Sequence, residues 1–242
     1  EMIQDDECPI KGVINEIDDN KVIVSKLTEY GEDDGEAILK KENNKEQYLK
    51  SLILSIKTES ILNEFTSEKR INLLFKEIQN SDFPENAILQ SITAKVLWSY
   101  YNINRFKFAG RNETKEFIKD DISTWSLGEI IEECSSLYKN SISNVNELQK
   151  ININSYSSLV IKGNDSNIKT TLFDILADNA LQFFINNEAG VAEPFYAFNI
   201  DKTEFFLPSE DFVKYNVESK DTTSMKFNAI KIFQIMEKKY LL

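Results

Sequence analysis

Residues 84–101 read PENAILQSITAKVLWSYY, and the fold of the chain turns on that stretch. Ile88, Leu89, Ile92, Val96, Leu97, Tyr100 and Tyr101 recur at steps of three and four, the period of an α-helix rather than the alternation of a strand. They spread over most of the helix circumference, which predicts a central helix with neighbours on several sides. Ser81 and Asp82 lead into it, and Pro84 falls in the first turn, where a missing N–H removes no helical hydrogen bond.

The same period continues on both sides. A helix is predicted from about Asn44 to Phe65, with Leu49, Leu52, Ile53 and Ile56 on one face. A short, surface-lying helix follows over Glu68 to Asn80, where Ile71, Leu74, Phe75 and Ile78 form one apolar stripe. Beyond the centre, Ser126 with Glu129 three residues later has the form of a capping box. It opens a helix whose inner face is Leu127, Ile130, Ile131, Cys134, Leu137 and Tyr138, so Cys134 is expected as a packed free thiol. Asn144 and the turn-prone Gly163-Asn164 interrupt the pattern. Thr171 and Asp174 then suit the start of a helix to about Asn186, with Leu172, Phe173, Leu176, Ala177, Ala180, Phe183 and Phe184 inward and Gly190 beyond its end. A last helix from about Ser224 would use Ala229, Ile232, Phe233, Met236 and Tyr240.

Two regions depart from the helical period. Residues 191–219 are rich in aromatics, contain Pro194 and Pro208, and alternate at Val213, Tyr215 and Val217, which predicts a packed loop with room for a small hairpin. In residues 12–27, Val13, Ile14 and Ile17 and then Val22, Ile23 and Val24 flank Asp18-Asp19-Asn20, a pattern that permits either a hairpin or a helix. The organisation expected is an N-terminal segment 1–42, a helical domain 43–190, an aromatic-rich loop region 191–223, and the start of a further, truncated helix at 224–242. The fold class is mainly all-α, with antiparallel helical hairpins in a bundle or a repeat-like stack. No fixed-period repeat is present. The sequence opens on Glu1 rather than Met and stops inside an apparent helix at Leu242, which reads as a segment of a longer protein.

Composition narrows the chemistry. The 242 residues, 41% hydrophobic, suffice for one sizeable core or a short stack of helices. Net charge is −12 with no basic run to offset it, which argues against nucleic-acid or anionic-membrane partners. Histidine is absent, and with it the usual general base, the Ser-His and Cys-His nucleophile pairs and the commonest metal ligand. Cys8 and Cys134 lie far apart in no zinc-like spacing. No apolar run nears the roughly 20 residues of a membrane-spanning helix. With only 7 glycines there is no phosphate-binding loop, so no cofactor or metal is expected.

The remaining candidates have plainer readings. Asp120-Asp121 with Glu132-Glu133 suggests a carboxylate group for acid–base work or a divalent cation, but adjacent side chains point apart and no complete ligand loop is present, so solvated or helix-start charges are the better reading. Trp98, Tyr100 and Tyr101 have the makings of a carbohydrate or peptide platform, yet beside Val96 and Leu97 at helical spacing they read as core. Arg105 and Arg111 follow the central helix, where they suit its C-terminal end or a pairing with Asp120 or Asp121 rather than an anion site. Asn112-Glu113-Thr114 and Asn164-Asp165-Ser166 match a glycosylation acceptor only in the way that many sequences do by chance.

Three clusters in order carry a family resemblance. They are Phe83 to Leu89 leading into Leu97-Trp98-Ser99-Tyr100-Tyr101, Asn104-Arg105-Phe106 and Arg111; Asp120 to Leu127; and Thr171 to Ala177 with Ala180-Leu181 and Phe183-Phe184. Over roughly residues 43–240 the chain resembles the N-terminal helical part of the long alpha-2-macroglobulin-like proteins of Bacteroidetes-type bacteria. In those proteins the third cluster runs Pro-Thr-Leu-Tyr-Asp-Phe-Leu-Ala-His-Arg-Ala-Leu, whereas here Thr170 replaces the proline and Asp178-Asn179 the His-Arg. Residues 1–42 match poorly. The resemblance implies a secreted, periplasmic or envelope-associated protein of protease trapping and defence, with downstream macroglobulin domains, and proteases, as protein partners. It implies a non-catalytic helical module here, because the Cys-Gly-Glu-Gln type thioester motif of many relatives lies far downstream; neither Cys8-Pro9-Ile10-Lys11 nor Cys134-Ser135-Ser136-Leu137 matches it. An independent helical-repeat module that holds a peptide or protein in a groove is the alternative. A carboxylate-only enzyme comes third.

Overall fold

Long apolar-periodic segments with capped starts fold as helices because each buries one face while its backbone hydrogen bonds stay internal. The computed structural model describes residues 45–62, 67–108, 121–159, 169–186 and 197–241, and among them the regular structure is helical throughout. The fold is all-α, and no β-strand occurs among the described residues; an antiparallel bridge pairs Asn152 with Thr171. Two compact units divide the chain, Glu1–Thr58 and Glu59–Leu242. The hairpin-or-helix reading of residues 12–27 lies outside the described residues.

In the first unit the described part is the bulk of α1 (Lys45–Leu62), where Tyr48, Leu49, Leu52 and Ile56 are buried. The predicted face is therefore the buried one, with Tyr48 added and Ile53 half-buried.

The second unit contains α2 (Ser67–Gln79), α3 (Glu85–Ile103), the single turn α4 (Arg105–Phe108), α5 (Leu127–Ser141), the turn α6 (Val145–Leu148), α7 (Leu172–Phe184), the turn α8 (Ser209–Phe212) and α9 (Met225–Tyr240). As its all-round apolar pattern requires, α3 is the centre and packs against α2, α5 and α7. Leu89, Ala94 and Leu97 are fully enclosed, and Ser91 and Thr93 are tolerated inside because Thr93 Oγ1 donates to the Leu89 carbonyl at 2.7 Å and Asn179 Nδ2 donates to Ser91 Oγ at 3.3 Å. Cys134 Sγ lies 3.6 Å from the Ala94 carbonyl, and the start of α3 shares a cleft with the end of α5, so these two helices run antiparallel. Each large apolar side chain so enclosed contributes about 1.5–3 kcal/mol. Truncating Leu97 to alanine would cost about 2–5 kcal/mol.

An aromatic seam joins α3, α5 and α7. Trp98 stacks on Tyr101 with centroids 5.0 Å apart and meets Phe183 edge-on at 5.3 Å; Phe183 also contacts Tyr138 at 5.1 Å. Tyr100 and Tyr101 both touch Phe108. Such pairs add about 0.5–1.5 kcal/mol beyond area burial, which makes this seam core.

Capping works as the sequence predicts. Ser126 Oγ accepts from the Glu129 N–H at 3.3 Å, and Glu129 Oε2 accepts from the Ser126 N–H at 2.5 Å. Just upstream, the Asp121 carboxylate accepts from the Ser123 N–H at 3.1 Å, closing a 3-10 turn over Ile122–Thr124 that delivers buried Trp125 against Phe75 of α2.

The packed loop expected over 191–219 is found in its described part, 197–219; the first of two corrections is that it holds no hairpin, only a 3-10 turn, Thr203–Phe206, and α8. The carbonyls of Phe212 and Tyr215, which a second strand would have paired, accept instead from Gln234 Nε2 of α9 at 2.8 and 2.9 Å. Pro208 fixes the start of α8 with its carbonyl accepting from the Phe212 N–H. The second correction concerns α9, whose inner face holds Asn228, Ala229, Ile232 and Gln234, while Phe233 and Tyr240 are exposed. Polar residues point inward there because they satisfy carbonyls: Asn228 Nδ2 donates to Thr222 and Ser224, and Gln234 to α8 and its exit. A small second core of Phe198, Phe205 and Val217, backed by Tyr215, Phe227 and Ile230, fastens the aromatic segment to the same helix.

Candidate functional site

The strongest polar node lies where α7 begins and α9 ends. Thr171 and Asp174, predicted only as a helix start, place the Asp174 carboxylate inside, 3% exposed. It accepts from the Thr170 N–H at 3.0 Å, from the Thr171 N–H and Oγ1 at 2.9 Å each, and from Lys239 Nζ at 2.5 and 2.6 Å. Lys239 Nζ also donates to Thr171 Oγ1 at 3.0 Å. Burial opposes the charged carboxylate, but the Lys239 and Thr171 hydrogen bonds outweigh it and hold Asp174 below its ordinary pKa. Tyr240 beside it is pushed up, by burial first and by the Asp174 charge second. One turn further along, Lys169 pairs with Asp178 at 2.9 Å. Chemically this is a closed ion pair, with its donors and acceptors matched to one another.

Other inward carboxylates are matched in the same way. Tyr100 donates to Glu68 at 2.8 Å, tying α3 to α2, and Tyr156 donates to Glu85 at 2.8 Å, tying the 153–159 turns to the start of α3.

The sequence candidates fall as follows. Asp121 is exposed and caps its turn; Glu132 is exposed on α5; Asp120 lies outside the described residues. Among the described residues no three Asp, Glu or Cys side chains converge where a metal ion would sit. Trp98, Tyr100 and Tyr101 belong to the core seam. Arg105 opens α4 at the surface, and Arg111, Asn112 and Asn164 lie outside the described residues, as does Cys8. Cys134 is a free thiol with no exposed surface; burial first, and the Glu133 charge second, push its pKa well up, which leaves it a protonated, unreactive thiol. Burial likewise raises Tyr138 next to it.

A surface cleft of about 210 Å³ sits between the start of α3 and the end of α5. One wall is Phe83, Asn86, Ala87 and Gln90. The other is Asn140, Ser141, Ser143 and Asn144. Ser141 and Ser143 donate to the carbonyls of Tyr138 and Asn140, and Asn140 Nδ2 approaches Ser136 Oγ at 3.4 Å. Asn144 opens α6 without capping it through its side chain. None of these residues stands out as a site in the sequence, although a signal exists: Asn86/Gln90 and Asn140/Asn144 are two carboxamide pairs at i, i+4, each on one helix face or its continuation.

No helix of the described residues is long and apolar enough to cross a membrane. No family model, curated protein or solved structure matches the chain.

Proposed function

We propose that this chain is a non-catalytic helical module that holds a fixed shape for scaffolding or partner contact, as the N-terminal helical part of a large alpha-2-macroglobulin-like envelope protein of protease defence. The observation that carries the reading is the use of its inward polar groups. Glu68, Glu85, Asp174 and Gln234 each join one element to another, through Tyr100, Tyr156, Lys239 and the α8 carbonyls. Groups so matched stabilise a shape and leave little chemistry to perform. The family part rests on the three ordered clusters, whose described residues lie in and beside α3 and in α4, in the capped turn leading into α5, and at the start of and along α7.

An antibody raised against this segment, applied to envelope and cytosol fractions of the source cells, tests the reading through the intact mass of the native polypeptide. A chain several times longer than 242 residues in the envelope supports it, and a mass shift with methylamine adds a live thioester downstream. A cytosolic chain of about this length overturns the family reading.

One observation favours the alternative, an independent module that binds a peptide or protein: Phe206 is 74% exposed, with Leu207 and Ile200 exposed in the same aromatic segment. Capture of one stoichiometric partner that Phe206→Ser abolishes would move that reading to first place.

A further inference from the structure

The cleft between the start of α3 and the end of α5 combines three properties. Its hydrogen-bonding capacity is open: among the described residues, the side-chain carboxamides of Asn86, Gln90 and Asn144 have no hydrogen-bond partner. A carboxamide offers two donors and one acceptor with two lone pairs, so these three groups present both senses of hydrogen bond to whatever enters. Its lining is also wholly neutral, with no ionisable side chain, in a chain where 28% of residues are charged. The positive end of α3 and the negative end of α5 meet at the cleft, so their opposite partial charges face each other there. A charged ligand would lose hydration there and gain no countercharge.

The third property is size and shape. At about 210 Å³ the space lies below the roughly 300–1,000 Å³ that encloses a drug-sized molecule, and has room for one ring. Phe83, half-buried, and Ala87 complete the lining, whose accessible surface is mainly polar. We infer that the cleft is a site for a single neutral sugar residue, a pyranose whose hydroxyls meet the carboxamides of the two walls. Hydroxyl groups that both donate and accept match carboxamides on two walls. An extended peptide is favoured less, since strand-like recognition needs a trench several residues long. This inference stands apart from the family reading above and does not depend on the length of the native polypeptide.

The test is saturation-transfer NMR on the purified chain with neutral methyl pyranosides (gluco, galacto and manno) and N-acetylglucosamine, each at about 10 mM, ample for dissociation constants of about 1 mM. At least one should receive saturation, and binding should weaken about fivefold or more in Asn86→Ala and in Asn144→Ala, which stand on opposite walls, the fold being checked by an unchanged melting curve. No transfer to any of the sugars overturns the inference. So does glucuronate binding as tightly as its neutral counterpart, or a capped neutral peptide that perturbs the Asn86 and Asn144 amide signals where the sugars do not.

Discussion

Replacing Asp174 by asparagine keeps the side chain's shape and removes its charge. In the native chain one carboxylate oxygen takes the Thr170 N–H, the Thr171 N–H and hydroxyl and one Lys239 contact, while the other takes Lys239 alone. In Asp174→Asn the amide oxygen inherits the first set, and the NH₂ group then faces the Lys239 ammonium, donor against donor. Removing one partner of a buried pair costs about 3–5 kcal/mol. Lys239, 18% exposed, can turn part of its charge to water, which lowers the expected loss to about 2–3 kcal/mol. For a chain of this size that corresponds to a fall in Tm of about 5–10 °C. Lys239→Met leaves the more deeply buried partner, the carboxylate, without its counterion and one of its oxygens without a donor, and should cost at least as much. The pH dependence follows from the lowered pKa: the contribution is complete above the unfolded carboxylate value of about 3.9 and is lost as pH falls through the lower folded value. Urea unfolding at pH 7 and at stepped pH below 4 measures both effects, and Asp174→Asn should lack that component of the acid slope. A pH 7 stability within about 0.5 kcal/mol of the parent would refute the assignment of Asp174 as a buried structural anchor.

Cys134, enclosed and protonated, should resist a thiol reagent in the native state and react on unfolding, and Cys134→Ser should lose about 1–3 kcal/mol by placing a hydroxyl among apolar neighbours; fast native labelling would contradict the packing described. Gln234→Leu fills similar space but strips the Tyr215 carbonyl of its side-chain donor and leaves the Phe212 carbonyl with the Tyr215 N–H alone, so about 1–3 kcal/mol should vanish in chemical denaturation, against a near-neutral result if solvent reaches those groups. Ser126→Ala removes the α5 cap and should cost about 1 kcal/mol, measured the same way, with no change expected in m-value.

The helices were legible because their information is local. The apolar period of α3, the Ser126–Glu129 box and the seven inward residues of α7 are read within a few turns of chain, and all are found in place. What escaped involves partners far apart in sequence. Nothing near Asp174 announces Lys239, 65 residues away, and Phe233 looks a better inward residue than Gln234 until the α8 carbonyls are known to lie against that face. Alternation at Val213, Tyr215 and Val217 is a strand signal only when a second backbone is available to pair, and here a side chain takes that place. The cleft was missed for a different reason: asparagine and glutamine are common on helix surfaces, and only the closeness of two helix ends gives four of them a shared space.

The Gln234 carboxamide has a consequence for how this segment tolerates change. Its two N–H groups reach two carbonyls three residues apart, at Phe212 and Tyr215, and so gauge the length of chain between them. Because it grips main-chain oxygens, it is indifferent to which side chains stand at 213 and 214. Side-chain changes there that keep the backbone N–H leave this grip in place, while a single inserted or deleted residue carries one oxygen out of reach and breaks it.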